Sequence, residues 1–87
     1  MTFYLTMNYY GGDIQCIEQA CKEQGATLLA INGTAFDDLA EERRYGIWEG
    51  SANYLVKLES ASKQEAQDRI HTTIHQRIAE LWQHHEL

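Results

Sequence analysis

The sequence predicts an α+β fold, a two-layer sandwich in β-α-β-(α)-β-α order with a three-stranded sheet and its helices on one face. Three observations carry that prediction. Apolar and polar residues alternate from Thr2 to Tyr10 and again from Asn53 to Glu59, the period of a half-buried strand. Between them Ile14, Ile17 and Cys21, with Ala20 beside them, share one helical face. Near the end Ala66, Ile70, Ile74, Ile78 and Trp82 recur every four residues, the stripe of a long amphipathic helix.

In the first strand Phe3, Leu5, Met7 and Tyr9 fall on one face, and Tyr4, Thr6, Asn8 and Tyr10 on the other. Gly11-Gly12 breaks it, and Asp13 reads as the N-cap of the helix that follows. Gly25 is a C′ stop, because glycine reaches the left-handed conformation that ends many helices. Ala26 to Ile31 is a short apolar run suited to a buried strand, and Asn32-Gly33 is a turn signal. Thr34 with Asp37 reads as a capping box, and Phe36, Leu39 and Ala40 supply a small apolar face. Asp37 and Asp38 at the start, and Arg43 and Arg44 near the end, complement a helix dipole, so a short helix is expected over Ala35–Tyr45. Ile47 to Ser51 reads either as the start of the next strand or as a loop with Trp48 folded back. In Asn53–Glu59, Tyr54, Val56 and Leu58 oppose Leu55 and Lys57. Ser62, with Glu65 three residues on, caps the closing helix, which runs to about His85.

Gly25 leads straight into Ala26, so the first helix returns directly into the second strand. A strand, a crossover helix and a second parallel strand form a right-handed unit. The third strand is expected to run antiparallel, and the long helix to pack on the same face as the first. This layout resembles a ferredoxin-like sandwich lacking its last strand. Small antitoxins, CRISPR-associated proteins and small SOS-regulatory proteins share that general plan. The resemblance is one of element order, so it carries no functional residue to this chain. Two helices cover one sheet face. The other face, with Tyr4, Thr6, Asn8 and Tyr10, is left to water or a partner, and two sheet edges stay unpaired. Homodimerisation through that face or an edge would hide them.

At 87 residues the chain is a single α+β domain, 1–87. A domain of this size buries only about 60% of its unfolded surface, which favours a groove or an interface over a deep cofactor pocket. Net charge is −6, and the seven basic residues are scattered, which disfavours direct nucleic-acid binding. Acidic balance suits solubility or a basic protein partner, including one that handles nucleic acid. Cys16 and Cys21 lie on one predicted helix about 140° apart, so they do not bridge each other. Two reduced thiols, Cys21 in the core and Cys16 nearer the surface, imply a reducing compartment. The opening Met1-Thr2-Phe3-Tyr4 lacks a signal peptide's basic region and apolar run, and no apolar run approaches the ~20 residues of a membrane span. A cytoplasmic protein is expected, with no membrane contact.

Few residue groups suggest chemistry. On a wheel of about 100° per residue, Asp68, His71 and His75 line one border of the long helix's core face. His71 and His75 stand one turn apart, a spacing that lets two imidazoles share a divalent metal, with Asp68 ligating or orienting His71. The site still needs a third or fourth ligand that the sequence does not identify. Asp37, Asp38, Glu41 and Glu42 form the densest acidic cluster, a patch for a basic partner or a solvated face. Gly11-Gly12-Asp13 lacks the glycine pattern and Lys-Ser/Thr sequel of a phosphate loop. Cys16 has no neighbouring histidine in sequence, and no Gly-x-Ser-x-Gly occurs. Sheet tyrosines can stack on RNA, but the basic surroundings are missing. Tyrosine and tryptophan also anchor protein interfaces.

The expected function is therefore that of a non-enzymatic, acidic regulatory or inhibitor protein. It would act by protein–protein binding, as a homodimer and without a cofactor, through Tyr4, Tyr10, Asp37, Asp38, Glu41, Glu42, Trp48 and Tyr54. The alternative is a small metal-dependent nuclease or hydrolase using Asp68, His71 and His75.

Overall fold

A computed structural model describes residues 1–39 and 50–85 of the chain, with side chains to residue 83. Strand β1 (Thr2–Tyr10) passes through a 3-10 turn, Gly11–Asp13, into helix α1 (Ile14–Gln24). Strands β2 (Thr27–Ile31) and β3 (Thr34–Ala35) follow, then a second 3-10 turn, Phe36–Asp38. Strand β4 (Ser51–Glu59) and helix α2 (Lys63–His85) complete the described chain. The class is α+β, as expected. No described helix is long and apolar enough to cross a membrane.

The sheet corrects the expected three-stranded, ferredoxin-like layout: among the described residues it has four strands, in the order β1-β4-β2-β3, and each neighbouring pair is antiparallel. β1 and β2 run parallel to each other, but β4 lies between them. The extra strand comes from Asn32-Gly33. Asn32 has φ 51° and Gly33 φ 81°, and Ile31 pairs with Thr34. Two consecutive positive φ angles make the tight hairpin turn whose twist matches antiparallel strands.

That hairpin also displaces the start of the helix expected over Ala35–Tyr45. Thr34–Ala35 is strand, Phe36–Asp38 is a single 3-10 turn, and Leu39 is extended. A turn closed by backbone geometry wins here over a three-residue capping pattern. Ala40–Tyr45, and with them Ile47 to Glu49, lie outside the described residues.

Both helices cover one face of the sheet. α1 buries Ile14, Ile17, Ala20 and Cys21, α2 buries Ala66, Ile70 and Ile74, and the strands meet them with Leu5, Met7, Leu28, Ile31, Ala52, Tyr54, Val56 and Leu58. Each large side chain in this layer contributes roughly 1.5–3 kcal/mol relative to exposure. Gly25 ends α1 at φ 67°, with its own N–H on Lys22 and the Ala26 N–H on the Cys21 carbonyl, the paired bonds of a Schellman stop. At the other helix start, the Glu65 N–H donates to Ser62 Oγ at 3.1 Å, as the capping box predicts. Asp13 makes no such capping bond and is buried instead.

The helices are tied along their shared side. Arg69 donates to the Gln24 side chain, to the Gln24 carbonyl and to the Glu59 carbonyl at 3.0, 3.2 and 3.0 Å. One guanidinium thus joins the end of α1, the end of β4 and α2. Arg77 adds an ion pair with Glu23 at 3.0 Å. The other border of α2 lies toward β1. An every-four stripe advances about 40° per step, so it precesses around the helix. Ala66, Ile70 and Ile74 are buried, Ile78 is half-buried, and Trp82 is 55% exposed.

Candidate functional site

The open face of the sheet is the surface the sequence singles out, and β1 builds it by alternation. Thr2, Tyr4, Thr6, Asn8 and Tyr10 are all exposed, while Leu5 and Met7 are buried against the helices. Tyr4 is 60% and Tyr10 47% exposed. β4 continues the face with Ser51, Asn53, Leu55, Lys57 and Glu59, paired across to Tyr10, Asn8, Thr6, Tyr4 and Thr2. Asn8 Nδ2 donates to Asn53 Oδ1 at 2.9 Å, and the Asn53 N–H donates to Asn32 Oδ1 at 2.8 Å. This amide ladder ties β1 and β4 to the end of β2. Thr2 Oγ1 donates to Glu59, whose carboxyl is held below its usual pKa by that bond first. Tyr10 lies over Gly12: a Cβ there would stand 2.8 Å from the tyrosine ring.

Other expected site residues are placed differently. Tyr54 is a correction: it is 1% exposed, in the core under the helices, with its hydroxyl 3.5 Å from the Gly11 carbonyl. On a strand facing both ways, its neighbours Ala52 and Val56 share the buried side, so Tyr54 cannot reach a partner. Asp37 and Asp38 are exposed on the 3-10 turn. Glu41, Glu42 and Trp48 lie outside the described residues. Cys16 and Cys21 are both free and both buried, so Cys16 is deeper than expected. Burial, reinforced by the nearby Glu18 charge, pushes the Cys21 thiol up to about 12, which makes it a poor nucleophile.

His71 and His75 do come together, around a residue the sequence reading assigned to packing. The Tyr9 hydroxyl lies 2.5 Å from His71 Nδ1 and 3.2 Å from His75 Nε2. A phenol donates one proton, so one imidazole nitrogen accepts and the other donates. Burial, and then the neighbouring His75 charge, hold His71 below its usual pKa, with Asp68 opposing. The neutral ring fits the accepting role at Nδ1. Burial pushes the Tyr9 phenol up, which keeps it protonated. Asp68 does not join this cluster; its carboxylate accepts from Gln64 at 2.9 Å. Among the described residues no three His, Cys, Asp or Glu side chains are grouped to hold a metal ion. The missed signal was that Tyr9 is the last helix-facing residue of β1, where the border of α2 passes.

Shallow cavities also open on the described surface. One of about 490 Å³ lies between α1, β2 and the Phe36–Asp38 turn, walled by Glu18, Cys21 and Leu28 among others. A second of about 400 Å³ is lined by Tyr10, Gly12, Asp13, Leu81 and Trp82. Neither gathers a nucleophile, a base and an orienting group. Set beside known proteins, the chain matches no protein-family model, no curated protein and no solved structure.

Proposed function

We propose that the chain is a non-enzymatic protein-binding module, a small acidic regulator or inhibitor that docks a protein partner on the open face of its sheet. The observation that supports this most is the side of β1 and β4 away from the helices, where Tyr4 and Tyr10 stand exposed on a hydrogen-bonded strand pair. Tyrosines on a rigid strand give large contact area at small entropic cost. The net charge of −6 and the exposed pair Asp37 and Asp38 suit a basic partner, such as a protein that handles nucleic acid. The same reading includes a homodimer and a reducing, cytoplasmic setting for the two thiols.

A photo-crosslinking residue at Tyr4 tests it, with Lys22 on α1 as the control position. Partner adducts from Tyr4 and none from Lys22 are expected, and Tyr10→Ser should weaken them. Equal labelling from both positions would remove the face from consideration. Asp38→Lys/Glu42→Lys should weaken capture if charge steers the encounter.

A second reading has one specific observation in its favour, the convergence of His71 and His75 on Tyr9. It is the metal-dependent nuclease or hydrolase with Asp68 nearby. Zn²⁺, Mn²⁺ and Mg²⁺ titration of untagged protein tests it: a melting temperature unmoved by all three would discard it.

A further inference from the structure

The two edges of the sheet are treated very differently. Among the described residues, β3 ends one side with two residues, Thr34 and Ala35, too short to template another strand. β1 ends the other side with nine residues, Thr-Phe-Tyr-Leu-Thr-Met-Asn-Tyr-Tyr. That strand contains no charge, no proline and no glycine, and its register with β4 runs unbroken from Thr2↔Glu59 to Tyr10↔Ser51. Proteins usually blunt such an edge with lysine, proline, a bulge or brevity, and β1 uses none of these.

The unpaired groups can be named. Met1 and Ser60 exchange both backbone bonds, at 3.1 and 2.9 Å, and the Gly11 N–H bonds the Gly50 carbonyl at 2.9 Å. Antiparallel pairs alternate between bonded and non-bonded, so the odd residues of β1 bond β4. The N–H and C=O groups of Thr2, Tyr4, Thr6, Asn8 and Tyr10 therefore point away from the sheet.

We propose that this edge pairs antiparallel with the same edge of a second copy of the chain, about a twofold axis through Thr6. In that register Thr6 faces Thr6, Tyr4 faces Asn8, and Thr2 faces Tyr10, which closes roughly ten hydrogen bonds between the copies. The side chains also match by face. On the helix side Leu5 meets Met7 and Phe3 meets Tyr9; on the open side neutral polar groups meet each other. A self-complementary edge of this kind is what a twofold contact requires. The contact plane is about 30 Å long and 10 Å deep per copy. That is about 600 Å² in total, below standard specific interfaces and in the range of weak, transient contacts, which sets micromolar rather than nanomolar affinity. The pairing uses the strand's edge and leaves the open face free, so it is separate from docking on that face.

Amide hydrogen exchange on the wild-type chain, between about 1 μM and about 1 mM, tests this without any variant. In the dilute protein the odd amides of β1 should be protected and those of Tyr4, Thr6 and Asn8 should exchange freely. In the concentrated protein these three should slow by about tenfold or more, as sedimentation moves from one copy to two. Thr6→Lys and Thr6→Glu should each abolish the dimer, and an equal mixture of the two should restore it, because opposite charges then face across the axis. A monomer throughout this range overturns the proposal. So does a dimer that Thr6→Lys leaves intact, or protection of the even amides already in the monomer, which would mean the chain covers its own edge. At Tyr4, adducts to a different protein read the open face and adducts to a second copy of the chain read the edge, so the two readings fail separately.

Discussion

The Tyr9 hydroxyl sits 2.5 Å from Nδ1 of His71, joining the end of β1 to the middle of α2 across 62 residues of chain. It also reaches His75 at 3.2 Å. One phenol thus fixes the border of α2 against the sheet on the side away from α1. Arg69 does the corresponding work on the other side through Gln24.

Tyr9→Phe keeps the ring and removes the hydroxyl. It should destabilise the fold by about 1–2 kcal/mol, since the half-buried His71 nitrogen loses its partner. Urea unfolding should show a lower midpoint with an unchanged slope.

Acid should weaken the fold through His71. Its folded pKa lies below the ordinary value of about 6.5, because burial and His75 disfavour the charged ring. Above that ordinary value the ring is neutral in both states, and the contribution is fully present. As pH falls through it, the unfolded chain takes up the proton more readily, and stability declines until the lower folded value is passed. Stability measured from pH 7.5 to pH 5 should fall less steeply in His71→Gln than in wild type.

Ile74→Ala should cost about 2–5 kcal/mol, because Ile74 is fully buried and the helix above it cannot collapse into the gap. Trp82→Ala, eight residues further along the same every-four stripe, should cost far less, since Trp82 is 55% exposed. Equal losses in the two variants, read from thermal melts, would contradict the precession of the stripe.

Gly33→Val should destabilise the β2–β3 hairpin by about 1–2 kcal/mol, because φ 81° is costly for a branched side chain. Nothing lies within 4 Å of where its Cβ would stand, so the loss would report backbone strain and not a clash. Ser62→Ala should cost about 1 kcal/mol by removing the cap on Glu65.

Much of this architecture was legible in the chain because its causes are local. The alternation of Thr2–Tyr10 sets which residues face the helices, whatever the strand pairs with. Ser62 with Glu65, and Gly25 after Gln24, settle helix ends through bonds that span three to five residues. Asn32-Gly33 was equally local; its hairpin chemistry outranked the capping pattern at Thr34 and Asp37, and so Ala35, expected to open a helix, is strand and Phe36–Asp38 is a single 3-10 turn.

What only the tertiary structure decided are the meetings between distant residues. The insertion of β4 between β1 and β2 leaves β1 as the long edge strand among the described residues, and no periodicity in Thr2–Tyr10 encodes which neighbour a strand will have. Tyr54 alternates as any half-buried strand residue would, and only the side on which the helices pack made it core. Tyr9 met His71 for the same reason: a side chain's direction is set by its own few bonds, but its neighbour is set by how the whole sheet and both helices close together.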